Sequence, residues 1–278
     1  MTRKDLYVIV ALILFLITLA YAIAFAGIVG LPAQKDLRPL GRFYLTYMVN
    51  SYVKKFWAAS PEGVTAILWD YRGLDTLYET SVFFLAIIGS VAIFRLTRED
   101  EKELHKREEE VKDTGLSIIV KLVTRVIFAL IIAVSASIAL HGHLTPGGGF
   151  QGGSALAVAP ILLIFAMSRY FVEKLGLKES TALSLRTIGL VTIGIVGLVP
   201  LIMGLGTAYF MQNQPKPGSV FTGFPNYVGD VLLGGSLLYY NIAEFLAVGA
   251  GFTVVFLLLS IPEDVFKKII RREGEVAH

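Results

Sequence analysis

Asp75, Glu79 and Glu244 are carboxylates set in or against strongly apolar stretches. A carboxylate at membrane depth can hold a proton or a cation, but left ionised in hydrocarbon it costs a few kcal/mol (~2.5–3.5 for Asp on insertion scales). Such a group must face protein, water or a cation. The uncharged portion after Glu79, Thr80 to Phe94, is 15 residues, roughly 22 Å as helix. To cross a hydrocarbon core of about 30 Å it must extend back to Asp75, which carries Glu79 about a turn and a half into the membrane. Asp75 and Glu79 are four residues apart and share a helix face. The alternative is that Arg72, or a helix N-terminus, stabilises both at the interface. Glu244 lies near the middle of the otherwise uncharged run Val231 to Ile261, with Tyr240 and Asn241 one turn earlier on a similar face. A helix beginning as late as Leu237 would place it near the edge instead.

His141 and His143 belong to the sequence HGHLTPGGGFQGG at 141–153. Imidazoles titrate near neutral pH, so a proton relay is chemically natural; the other reading is hydrogen bonding that holds a turn. An HxH pair with no Cys and no third ligand is poor zinc evidence, so no metal and no cofactor is expected. Pro146, Gly147, Gly148, Gly149, Gly152 and Gly153 do not form a phosphate loop, because no GKS or GKT follows them. Lys121 and Arg125, at i,i+4, either snorkel toward lipid phosphate or serve as basic partners for a buried acid elsewhere.

The elements that position these groups follow from hydropathy. With 55% hydrophobic residues, mean hydropathy +0.67 and several apolar stretches longer than 18 residues, the chain reads as an all-α, polytopic membrane protein. Val126 to Ser168 is a charge-free run of 43 residues, roughly 64 Å as one helix, about twice a hydrocarbon core. The chain must therefore turn at the glycine-rich segment. Lipid offers irregular backbone no hydrogen-bond partners, so that turn faces protein or a wet cavity. About six transmembrane helices are expected, near 5–31, 74–96, 117–140, 150–170, 183–207 and 232–260. No cleavage pattern follows the first, which reads as a permanent span. Pro160 and Pro200 interrupt the fourth and fifth, each freeing a carbonyl one turn back. Gly189, Gly194, Gly197, Gly204 and Gly206 thin the fifth for close packing.

An even number of spans puts both termini on one side, and 18 of the 25 Lys and Arg residues sort to that side, Arg186 being counted with the connecting cations of 169–186. By the positive-inside bias the protein sits in the cell membrane with both termini cytoplasmic. The 32–73 loop holds six of the other seven and carries an expected interfacial helix around 41–57. Residues 98–113 form a solvated charged connector with pairs such as Glu103 with Arg107 and Glu108 with Lys112. It divides the chain into a two-span part, 1–97, a linker, 98–114, and a four-span part, 115–278, without the internal repeat of a self-sufficient transporter. Absence of cysteine excludes disulfides and thiolate-bound iron–sulfur clusters within this chain, so it cannot wire electrons by itself. Scarce Asn and Gln with charge-rich loops lean toward a thermophilic source.

Residues 115–260, with HGHLTPGGGFQGG, the Pro-interrupted spans and YNIAEFLAVGAGF at 240–252, resemble the MnhB-like component of Mrp-type multisubunit sodium/proton antiporters. The earlier VTAILWDYRGLDTLYET, at 64–80, is similar to the small C-terminal domain of the large MrpA-type component, which also occurs as a separate subunit in archaeal membrane-bound hydrogenases. That family usually carries glycine before the glutamate of its DT-x-x-E motif; here Tyr78 stands there, which changes the packing around Glu79. Having both parts in one chain looks more like the hydrogenase-related complexes, including the sulfane-sulfur reductase type, than a stand-alone antiporter. The resemblance implies membership in a Complex I-related respiratory complex in archaea. Implied partners are other Mrp-like membrane subunits, a peripheral redox arm, membrane lipid, sodium ion and proton, with no nucleic acid.

The expectation is a redox-silent subunit of a sodium/proton-translocating module. Glu79, Glu244, Asp75, His141, His143 and Lys121 would form an ion path or its electrostatic control. Alternatives are a scaffold with no ion path, one component of a stand-alone Mrp antiporter, and an independent membrane enzyme using the histidine turn.

Overall fold

The structure is a computed structural model and describes residues 3–25, 37–94, 100, 102, 104, 106 and 116–267. The chain divides into two compact units, Met1–Thr46 and Tyr47–His278. The first contains α1 (Arg3–Phe25) and α2 (Pro39–Phe43). The apolar stretch of α1 runs over Ile9–Ala24, and the expected continuation of that span to residue 31 lies outside the described residues.

In the second unit, α3 (Gly63–Thr65) leads through a π-helical segment, Ala66–Tyr71, into α4 (Gly73–Ile93). Then come α5 (Ile118–Leu140), α6 (Gly149–Ala166), the short α7 (Arg169–Lys174), α8 (Glu179–Met203), a two-stranded hairpin of β1 (Tyr227–Val228) and β2 (Val231–Leu232), and α9 (Ser236–Leu259). Five of these, α4, α5, α6, α8 and α9, are long and apolar enough to cross a membrane. The protein is thus mostly helical and multi-pass.

Three boundaries differ from the sequence reading for identifiable reasons. α8 begins at Glu179 rather than near 183, because an acidic residue in the first turn complements the helix dipole. α9 begins at Ser236 rather than near 232, because Gly234 and Gly235 take φ of +73° and +61° and the hairpin occupies the residues before them. The interfacial helix expected over 41–57 is broken at 49–53. There the Asn50 side chain accepts the Tyr52 N–H at 3.0 Å and competes with helical pairing. The charged connector lies almost wholly outside the described residues, including both of its predicted ion pairs.

α9 is the central post: 56% of its most apolar window is buried, against 11% for α5. It packs on α8, α6 and α4, while α5 packs on α6. Small residues permit these approaches, as association in lipid requires. At Gly189 of α8, an added Cβ would meet Ala247 Cβ at 2.9 Å; at Gly153 of α6, Val248 Cβ at 2.8 Å; and at Gly251 of α9, Ile87 Cδ1 at 2.6 Å.

Candidate ion-handling site

The α5–α6 turn puts the start of α6 directly on α9. Gly148 is the residue before the helix, with φ +144°, and the backbone N–H of Phe150 donates to Glu244 Oε2 at 3.0 Å. A Cβ on Gly149 would stand 2.5 Å from Asn241 O and 2.7 Å from Glu244 Oε2, so only glycine lets the helix end come this close. Gly152 and Gly153 continue the approach, against Ser135 O of α5 and Phe245 O of α9, each 2.8 Å from an added Cβ. First-turn N–H groups have no helical acceptor and carry the positive end of the dipole. Glu244, 7% exposed and eight residues into α9, supplies the matching negative group, about 12 Å along the helix. Its depth is modest, but it is enclosed by protein.

Around Glu244 the polar side chains are few. Asn241, one turn earlier, accepts the Trp69 indole N–H at 3.3 Å, while its Nδ2 is buried without a partner among the described residues. Tyr240 stacks on Trp69 at 4.8 Å between ring centroids. Glu79 is exposed on α4. Asp75 is at the exposed start of α4, paired with Arg72 at 2.5 Å, which fits the interfacial reading of that residue.

The histidines separate. His141 is exposed and its Nδ1 lies 2.9 Å from Ser137 O. His143 is buried; its Nε2 meets Leu232 O at 3.0 Å, which requires the Nε2-protonated tautomer. Burial pushes His143 below its ordinary range, against the pull of the Leu232 carbonyl. His143 thus links the turn to the hairpin before α9, whereas His141 contacts only the last turn of α5. Lys121 is half-buried on α5 and pairs with no described acid.

Two features escaped the sequence reading. Arg186, counted there with the loop cations, is 1% exposed and two turns inside α8. Its Nη2 donates to Phe84 O at 2.8 Å and its guanidinium lies 3.8 Å from the Phe84 ring centroid. At the end of the bundle where α4 and α9 begin, Lys216 and Asp70 form a buried ion pair at 2.6 Å. Asp70 also accepts the Asn213 N–H at 2.8 Å, and Asn213 Nδ2 donates to Ala58 O and Gly234 O, each at 2.8 Å. Burial pushes the Asp70 carboxyl up, while the Lys216 ammonium and the Asn213 N–H pull against it. Asp70 and Lys216 are 146 residues apart, so no local pattern announces the pair.

Residues 119–254 match the family model described as a domain related to the MnhB subunit of Na+/H+ antiporter. This stretch, 136 of the 278 residues, resembles that domain. It contains α5, α6, α8 and most of α9, and with them both partners of the Phe150–Glu244 contact. An uncharacterized protein of Methanocaldococcus jannaschii is 28% identical over 99% of each chain. A probable K(+)/H(+) antiporter A/B-type subunit of Rhizobium meliloti is 24% identical over 82% of this chain, which spans 23% of that relative's length. Among solved structures, a chain of the membrane-bound sulfane sulfur reductase, an archaeal respiratory membrane complex, superposes with TM-score 0.63 and 26% identity over 91% of this chain and 98% of that one. The Mrp complex from Dietzia sp. DQ12-45-1b shares the fold, with TM-score 0.57 and 17% identity over 95% of this chain and 26% of the other.

Proposed function

We propose that this chain is a redox-silent membrane subunit of a sodium/proton-translocating module within a Complex I-related respiratory complex of the sulfane-sulfur reductase or hydrogenase type. The MnhB-like domain supports the antiporter relation, and the end-to-end match to one chain of the archaeal reductase supports a place in a redox-coupled assembly. In this reading residues 1–97 act as a two-span domain like the C-terminal end of the MrpA-type component, with both termini cytoplasmic. The neighbours are other Mrp-like membrane subunits and a peripheral redox arm.

The observation that carries the reading is a carboxylate enclosed at a helix N-terminus. Glu244 is held by the Phe150 N–H; Glu79 faces outward from α4, where a neighbouring subunit or water must shelter it. Exchange follows if the pair alternates between holding a proton and holding Na⁺ as the complex cycles. The Phe150–Glu244 bond equally favours a scaffold role, since it ties the turn to α9. Glu79→Gln and Glu244→Gln, introduced separately into the intact complex in inverted membrane vesicles, distinguish the two. A path role predicts normal assembly on native gels with loss of Na⁺-dependent transport; assembled complexes with unchanged transport would overturn it.

A further inference from the structure

Away from the carboxylates, a cavity of about 200 Å³ lies among α5, α6, α8 and α9. Thr253 supplies the one polar side chain in its wall, and that hydroxyl is committed to Gly249 O at 2.7 Å. Nothing there remains to bind an ion or a water. Apolar cavities of comparable size, ~150 Å³, stay dry and take up apolar guests such as benzene or xenon.

Depth and charge narrow the guest. Leu177, just before α8, marks one limit of the wall, and Ile132, 14 residues along α5, marks the other. That places the cavity within about 21 Å of the helix ends, a span that matches one leaflet's ~15 Å of hydrocarbon plus ~6 Å of interface. Lys121 shares the α5 stripe of Phe128 and Ile132, seven and eleven residues before them, and Arg125 stands one turn from Phe128. Lys178 adjoins Leu177 in the chain. None of these three cations has an ion-pair or hydrogen-bond partner among the described residues, whereas nearby Arg169 is occupied by Glu173 at 2.6 Å. Apolar walls below unpaired cations match one molecule abundant at that depth. We infer that the cavity holds part of an apolar tail of an anionic phospholipid whose headgroup rests on Lys121, Arg125 and Lys178.

Site-specific crosslinking in the intact complex tests this. A benzophenone analogue of phenylalanine replaces Phe128, and the complex is reconstituted in vesicles containing equal amounts of phosphatidylglycerol and phosphatidylcholine. Irradiation should attach mainly phosphatidylglycerol, and Ile132→Trp, which narrows the cavity, should abolish the adduct. Lys121→Gln and Lys178→Gln should lower the ratio of anionic to zwitterionic adduct roughly fivefold for each cation removed. If the analogue blocks assembly, native mass spectrometry of the unmodified complex should find one retained phosphatidylglycerol that Ile132→Trp removes. Crosslinks to a neighbouring subunit or to the chain's own first helix, equal yields of the two lipids, or an adduct indifferent to Ile132→Trp would each overturn the proposal.

Discussion

Glu244 of α9 accepts the backbone N–H of Phe150 at the first turn of α6, 3.0 Å away and shielded from solvent. One contact therefore satisfies an otherwise orphaned helix donor and fixes the position of a carboxylate within the bundle. The structural contact and the proposed ion-handling role share one atom, and substitutions can separate them.

Glutamine at 244 retains a carbonyl oxygen for Phe150 but carries no charge. Glu244→Gln should assemble normally and lose Na⁺-dependent transport at least about tenfold, as when a barrier rises by ~1.4 kcal/mol. Glu244→Ala instead leaves the Phe150 N–H buried without an acceptor, at a cost of ~1–3 kcal/mol. Thermal melting of the purified complex, read beside vesicle transport, checks both.

At Gly149 the obstacle is backbone as well as side chain, since an added Cβ would lie 2.5 Å from Asn241 O. Gly149→Ala should push α6 from α9 and destabilise the bundle by ~1–3 kcal/mol. Lower assembled yield, with faster proteolysis at the 141–148 turn, is the expected readout.

The Asp70–Lys216 pair ties the segment before α4 to the loop before α9. Removing one partner leaves a buried, uncompensated charge, so Lys216→Met should cost ~3–5 kcal/mol. Combining it with Asp70→Leu should recover much of that loss. Melting of the single and double variants as a cycle measures the coupling, and additive losses would contradict it.

His143 supplies a pH dependence whose sign follows from its burial. Its folded-state value lies below the ordinary 6.5, so between the two values the unfolded chain binds more protons than the folded one. Stability from the neutral imidazole is fully present above the unfolded value and declines as pH falls below it. Protection factors of the turn amides, which divide out the intrinsic pH dependence of exchange, should fall as the pH drops from about 7.5 to about 5.5 around that ordinary value. His143→Gln should flatten the profile.

Sequence alone determined that this chain spans a membrane, that the Val126–Ser168 run must turn at its glycines, and that Glu79 and Glu244 carry charge at unusual positions. These conclusions rest on helix rise against bilayer thickness and on the cost of charge in hydrocarbon, both local quantities. Tertiary structure decided which partners the polar groups meet. Helical spacing put Tyr240 and Asn241 near Glu244, but it could not bring up the Phe150 N–H, 94 residues away in the chain. Nor could it separate the histidines, one exposed on Ser137 and the other buried against Leu232. Arg186 looked like a loop cation because its depth depends on where α8 begins and on Phe84, 102 residues distant, supplying a carbonyl and a ring. Hydropathy is a sum over neighbours along the chain, whereas hydrogen-bond satisfaction depends on neighbours in space, which only the packed helices supply.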